Sequence, residues 1–177
     1  MLLPLALCAA ATAGAQEAAP PTGATASAAP AKSRSTGDAW LDRQLLDIDR
    51  YAARYPEAFA DELERHAGVP RAYAQALARQ PGWHPGDVWF ACFLGRAVEA
   101  TCRSVVRARA VADADAGWEE VAEDFEAEPG SAAYRALKLA LADSYRRWAR
   151  PLDPDAGLRR ALREREQARA RAAAQAR

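Results

Sequence analysis

The most regular stretches of this chain place an apolar residue at every third or fourth position. Between 38 and 55, Trp40, Leu41, Leu45, Ile48, Ala52 and Tyr55 share one face, separated by Asp42, Arg43, Asp47, Asp49, Arg50 and Arg54. That period predicts an amphipathic helix, and Asp38 is placed to cap it. Pro56 interrupts the chain, and a short helix follows from Glu57 to Ala67 with Phe59 and Leu63 inward, ended by Gly68. A third helix is expected from Pro70 through Gln80, anchored by Tyr73 and Leu77. The run Val88 to Leu94, VWFACFL, has no polar break. Period alone cannot separate a buried helix from a buried strand there, but the helical patterns on both sides and the continuation through Ala97 and Val98 favour a central helix.

Downstream, Val105, Val106 and Val111 sit in a stretch expected to be helical from Thr101 to Val111. Trp118, Val121, Ala122 and Phe125 give a short amphipathic helix, broken by Glu128-Pro129-Gly130. Ser131 then caps the clearest helix of the chain, with Tyr134, Leu137, Leu141, Tyr145 and Trp148 inward and Pro151 and Pro154 as its stop. Short helices joined by Pro and Gly must turn back on one another to bury these stripes. The expected fold class is therefore all-α, a small irregular bundle, and the cysteines add the expectation of one intra-domain disulfide.

The ends differ from the middle. Residues 1–15, MLLPLALCAAATAGA, carry no charge and close on Ala13-Gly14-Ala15, which reads as a signal peptide. Leu7 is too bulky for Cys8 to be a lipoprotein cysteine. Residues 16–37 are almost entirely small or polar, and so are expected to be a disordered linker. The helical domain is placed at 38–152, and 153–177 is expected to be a basic helix, built on Leu158 and Leu162 and frayed beyond them.

The whole chain is neutral, with 24 basic and 24 acidic side chains, but the neutrality is uneven. Residues 38–155 hold 21 acidic and 15 basic groups, whereas 156–177 hold seven Arg and two Glu. The basic tail could touch an anionic surface, fold back on the acidic body, or remain in solvent. Arg outnumbers Lys 22 to 2, a mark of GC-rich coding that lowers the meaning of any single Arg. No cofactor is implied. A helix-turn-helix cadence from Trp118 to Leu137 lies in an acidic segment, which argues against a nucleic-acid partner.

Candidate chemistry is sparse. With Cys8 removed by processing, Cys92 and Cys102 form an even pair, suggesting a disulfide in an oxidising compartment. Ten residues of continuous helix span about 15 Å, so such a bond requires the central helix to end and reverse, most simply near Glu99 to Thr101. The alternative is two buried thiols. His84 and Asp87 lie in the turn PGWHPGD and could act as a base with its orienting partner, although no nucleophile motif accompanies them. The bland reading makes Trp83, Pro85, Gly86 and Asp87 a structural junction, with Asp87 capping the apolar helix and Trp83 closing over its end. The acidic run from Glu119 to Glu128 could supply paired carboxylates for glycan hydrolysis, but it has the look of a solvated helix face. His66 and His84 are the only histidines, and no motif for a metal site is present.

The segments WHPGDVWFACFLGRAVEATCR, GWEEVAEDF, PGSAAY, RALK and YRRWARPL resemble a family of small exported proteins from Gram-negative bacteria that have no assigned activity. The residues that carry the likeness are Trp83, Pro85, Gly86, Asp87, Trp89, Ala91, Cys92, Cys102, Gly117, Trp118, Pro129, Gly130, Ser131, Leu137 and Lys138. It covers roughly residues 40–152 and omits both tails, and the spacing from Gly95 to Cys102 is longer than the family pattern. The resemblance implies a shared helical fold and a periplasmic or secreted location. The leading expectation is a non-enzymatic binding or structural module of the envelope, partnered by an envelope protein or a glycan. The rival is a small periplasmic hydrolase using a carboxylate near PGWHPGD.

Overall fold

A computed structural model of the chain describes residues 33–113 and 115–176. The expected signal peptide and most of the expected linker lie outside them. Eight α-helices occur among the described residues, with no strand: α1 (Ala39–Arg54), α2 (Pro56–Glu62), α3 (Arg71–Ala78), α4 (Pro85–Ala97), α5 (Cys102–Val111), α6 (Trp118–Glu123), α7 (Ala132–Arg147) and α8 (Ala156–Gln175). A single π-helical turn, Leu63–Ala67, continues α2. The all-α irregular bundle expected from the periodicity is what forms.

Helix α4 is the axis of the bundle. Every residue from Gly86 to Gly95 is buried, which explains why its pattern has no wet face: α1, α5 and α7 pack around it. The closest approach is to α1. A Cβ added at Gly86 would lie 2.5 Å from the carbonyl oxygen of Leu45, so only glycine lets the two backbones meet there. Around α4 are Leu41, Leu45 and Ile48 of α1, Leu63 of the π-helical turn, Val105 of α5, Trp118 and Val121 of α6, and Tyr134, Leu137 and Leu141 of α7.

After Ala97 the chain reverses through Glu99, whose φ of 56° closes the helix end. Thr101 caps α5 by accepting from the backbone N–H of Ser104 at 3.1 Å. The reversal brings Cys102 back beside Cys92, and the two are disulfide-bonded. Caps at the other helices follow the sequence: Asp38 accepts from Trp40 and Leu41 of α1, Ser131 from Tyr134 of α7, and Asp155 from Leu158 of α8.

Five expectations need correction. In α1 the inward residue of the last turn is Tyr51, not Tyr55; Tyr51 stacks on Trp148 with ring centroids 4.3 Å apart, and Tyr55 is exposed. Pro56 starts α2 immediately, and this redirects the chain before Tyr55 can reach the core. Val111 is exposed because α5 ends there with its apolar face already turned away. Residues 33–37, assigned to a disordered linker, are packed onto the body: Thr36 is fully buried, and Ser35 accepts from the backbone N–H groups of Trp118 and Glu119. Composition misled because the segment is held by polar bonds to other helices, not by apolar burial. Finally, α8 does not lose its helix after Leu162 but continues to Gln175. The domain limit at residue 152 also moves, since Asp153 accepts from the indole of Trp40, and Leu158 and Ala161 of α8 belong to the core.

Candidate functional site

The turn singled out in the sequence is a buried polar junction. His84, not Asp87, is the N-cap residue of α4; Asp87 sits three residues into the helix and reaches back. Its Oδ2 accepts from the backbone N–H of His84 at 3.0 Å, and the same oxygen lies 3.0 Å from Nδ1 of the His84 ring. Its Oδ1 accepts from the indole N–H of Trp118 at 2.8 Å and from Nε of Arg34 at 2.9 Å. This is the reciprocal half of a capping box combined with a charge pair. The expected cap donors at the start of α4 are met differently: Asp49 of α1 accepts from the backbone N–H of Gly86 at 2.7 Å.

Arg34 ties the junction to the N-terminal segment. Besides Asp87 it donates to Asp49 at 2.7 Å, and these two carboxylates outweigh the burial that would otherwise lower its pKa, so it is raised. Burial lowers the pKa of Arg109, whose guanidinium lies over the Trp118 ring and donates to the carbonyls of Ser33 and Ala116. Trp83 packs edge-on against Trp118, with centroids 5.9 Å apart, so it covers the junction through Trp118 instead of closing directly over the helix end. Pro85 and Gly86 form the first turn of α4. What His84 and Asp87 can do chemically is limited by this setting. Asp87 is 3% exposed with both oxygens engaged, while the His84 side chain is about half exposed. The pair has the geometry of an imidazole oriented by a buried carboxylate.

A second polar centre went unnoticed in the sequence. Glu62, at the end of α2, is 4% exposed and is gripped by α7. Its Oε2 accepts from Nε of Arg147 at 2.9 Å, its Oε1 from the other arm of the same guanidinium, and Oε1 also from the hydroxyl of Ser144 at 2.6 Å. Ser144 in turn accepts from the indole of Trp89 in α4 at 3.3 Å. Glu62 reads in sequence as one more acid on a polar face, and Arg147 as one of many arginines. The only local signal was Ser144 lying inside the aromatic stripe of α7.

Above this network two cavities of about 340 and 180 Å³ meet at His66 and Arg147. The larger lies between the π-helical turn, α4 and α7; the smaller contains Glu62 and the stacked Tyr51 and Trp148.

The acidic run from Glu119 to Glu128 does not form a carboxylate pair in a cavity. Glu119 is half-buried, and Glu120, Glu123, Asp124, Glu126 and Glu128 are exposed. Glu120 instead accepts from the N–H of Gly117 at 2.7 Å and fixes the start of α6. Trp148 stands at the end of α7 and Ser131 at its start, both in structural roles. Among the described residues no group of three or more His, Cys, Asp or Glu side chains is placed to hold a metal ion, and no helix is long and apolar enough to cross a membrane. No protein-family model, curated protein or solved structure matches the chain.

Proposed function

We propose that this chain is an exported helical module of the Gram-negative envelope that acts by binding an envelope component, without turning it over. The observation that carries the reading is the employment of Asp87. The carboxylate nominated for catalysis is used in full by its own fold, with two oxygens shared among Trp118, Arg34 and His84. A general acid or nucleophile needs a carboxyl that can change charge or attack, and this one would have to abandon the half-buried Arg34 cation to do so.

Export is supported by the Cys92–Cys102 bond, since disulfides persist in oxidising compartments. The apolar first fifteen residues and the likeness to exported proteins point the same way. The partner is a protein or glycan of the envelope, and the Arg-rich outer half of α8 is suited to an anionic surface.

One observation favours the hydrolase as a second reading: the His84–Asp87 contact at 3.0 Å, with the imidazole open to solvent. Purified peptidoglycan sacculi separate the two. Binding predicts that the protein sediments with sacculi and releases no soluble sugar. Release of sugar that is lost in His84→Ala would overturn the binding reading. Recovery of the native protein with reduced thiols in the cytoplasm would overturn export.

A further inference from the structure

The cleft above Glu62 combines features that a packed bundle does not require. Its wall includes the π-helical turn Leu63–Ala67, and such turns are frequent at functional sites. Its floor rests on the ion pair Glu62–Arg147, in which the carboxylate is buried and the guanidinium is partly open to solvent. That pair, with Ser144 and Trp89 behind it, holds the Arg147 guanidinium in one position at the border of both cavities. On the smaller cavity, the indole N–H of Trp148 is buried and has no hydrogen-bond partner among the described residues.

Of the cations around the larger cavity, Arg147 is matched by Glu62. The one acid there, Asp143, is matched by Arg165 at 2.8 Å and by Arg146 at 3.2 Å. Arg96 of α4 has no acidic partner among the described residues; it donates to the backbone carbonyl of His66, which leaves most of its five N–H groups available. Phe93, Ala136 and Ala140 give the rest of the cavity an apolar lining.

We propose that this cleft binds a small molecule bearing a free carboxylate, with Arg96 receiving the carboxylate and Phe93, Ala136 and Ala140 holding the apolar body. The planar fork of arginine matches a carboxylate. Asp143 and Glu62 nearby keep the site from carrying the excess positive charge that a dianion would call for. A cavity of about 340 Å³ accommodates one sugar ring or a dipeptide. The proposal rests on the binding reading above and names its site.

The test is a titration of isotope-labelled protein followed by NMR at Arg96, His66 and the Trp148 indole. The probes are acetyl-alanyl-alanine and N-acetylmuramic acid, each beside an uncharged counterpart, the dipeptide amide and N-acetylglucosamine. Additions to about 10 mM detect millimolar dissociation constants. At least one acid should give saturable shifts that its uncharged counterpart does not, and which acid does so identifies a peptide or a sugar as the carboxylate's source. Arg96→Gln, at an exposed position, should weaken that response about tenfold, and Ala136→Glu, which fills the cleft with an opposing charge, should abolish it. Absence of a saturable response to either acid, an equal response to the uncharged counterparts, or full affinity in both variants would overturn the proposal. Such a failure leaves sacculus binding untouched, whereas sugar release from sacculi would reject the binding reading itself.

Discussion

The indole N–H of Trp118 donates to Oδ1 of Asp87 at 2.8 Å across 31 residues of sequence, with both side chains buried. Through that oxygen the short helix α6 is registered against the axis helix α4, and Arg34 on the same oxygen adds the N-terminal segment. Three parts of the chain that are far apart in sequence therefore depend on one carboxylate.

Asp87→Ala should accordingly cost more than a lost helix cap. Removing the acid leaves Arg34, with 23% of its side chain exposed, beside Asp49 alone. Breaking a buried pair by removing one partner costs about 3–5 kcal/mol, and the partial exposure of Arg34 places the expected loss near the lower bound. In a double-mutant cycle with Arg34→Ala measured by urea unfolding, the two losses should be strongly non-additive. Additive losses would show that the contact carries no coupling.

The N-terminal limit of the domain can be tested by truncation. A chain beginning at Asp38 lacks Arg34, the buried Thr36, and the carbonyls of Ser33 and Ser35 that accept from Arg109 and Trp118. The Tyr134 hydroxyl, whose pKa burial pushes up, also loses the Thr36 carbonyl it donates to. Loss of the Arg34 contacts alone predicts a Tm lower by roughly 10 °C than that of a chain beginning before Ser33. Equal melting of the two chains would return residues 33–37 to the linker.

The disulfide closes a loop ten residues long, for which the chain-entropy account gives about 3 kcal/mol. Replacing Cys92 and Cys102 together with Ala should lower stability by that order without changing helix content, because Glu99 and the Thr101 cap still reverse the chain. In the unreduced protein neither thiol should react with an alkylating agent. Labelling of both would contradict the bond.

Acid should weaken the junction of α7 and α8. Burial alone would raise the pKa of Asp155, but the hydrogen bonds from Lys138 and from the N–H of Leu158 outweigh it and hold the carboxyl below its ordinary value. A carboxyl depressed in the folded state contributes its stability fully above its unfolded pKa, about 3.9 for Asp, and loses it as the pH falls through the lower folded value. Asp155→Asn should therefore reduce stability at pH 7 and cost less at a pH well below about 3.9. An equal deficit at both pH values would exclude the charge as its source.

The tail divides at Arg165. Leu158 is fully buried, and Arg165 pairs with Asp143 of α7 at 2.8 Å, whereas the described residues after 165 are exposed. Deleting 166–177 should leave the urea midpoint unchanged at any salt concentration. Deleting 157–177 should cost about 2–5 kcal/mol, the range for removing a buried leucine, and most of that loss should persist in high salt. If the shorter deletion destabilises the protein at low salt only, the outer half of α8 folds back on the acidic body.

Local signals were sufficient wherever a helix is made by its own residues. The periodicity of α1 and α7, the caps Asp38 and Ser131, the break at Pro129-Gly130 and the reversal between Cys92 and Cys102 were all legible, because period, capping and chain reversal act over only a few neighbouring residues. The even Cys pair suggested the bond, and because ten residues of straight helix are too long for it, the bond in turn required the reversal. Glu62 and Arg147, 85 positions apart, gave no such signal. A charge on an amphipathic helix looks solvated until another helix is known to cover it. Residues 33–37 went unread for the same reason, since their order comes from polar partners on α1, α4, α6 and α7 and not from any apolar pattern of their own. Which segments are helical, and where they turn, is encoded in short-range pattern along the chain. Which charged groups are buried and paired is settled when the helices assemble, because burial of a charge depends on what packs over it.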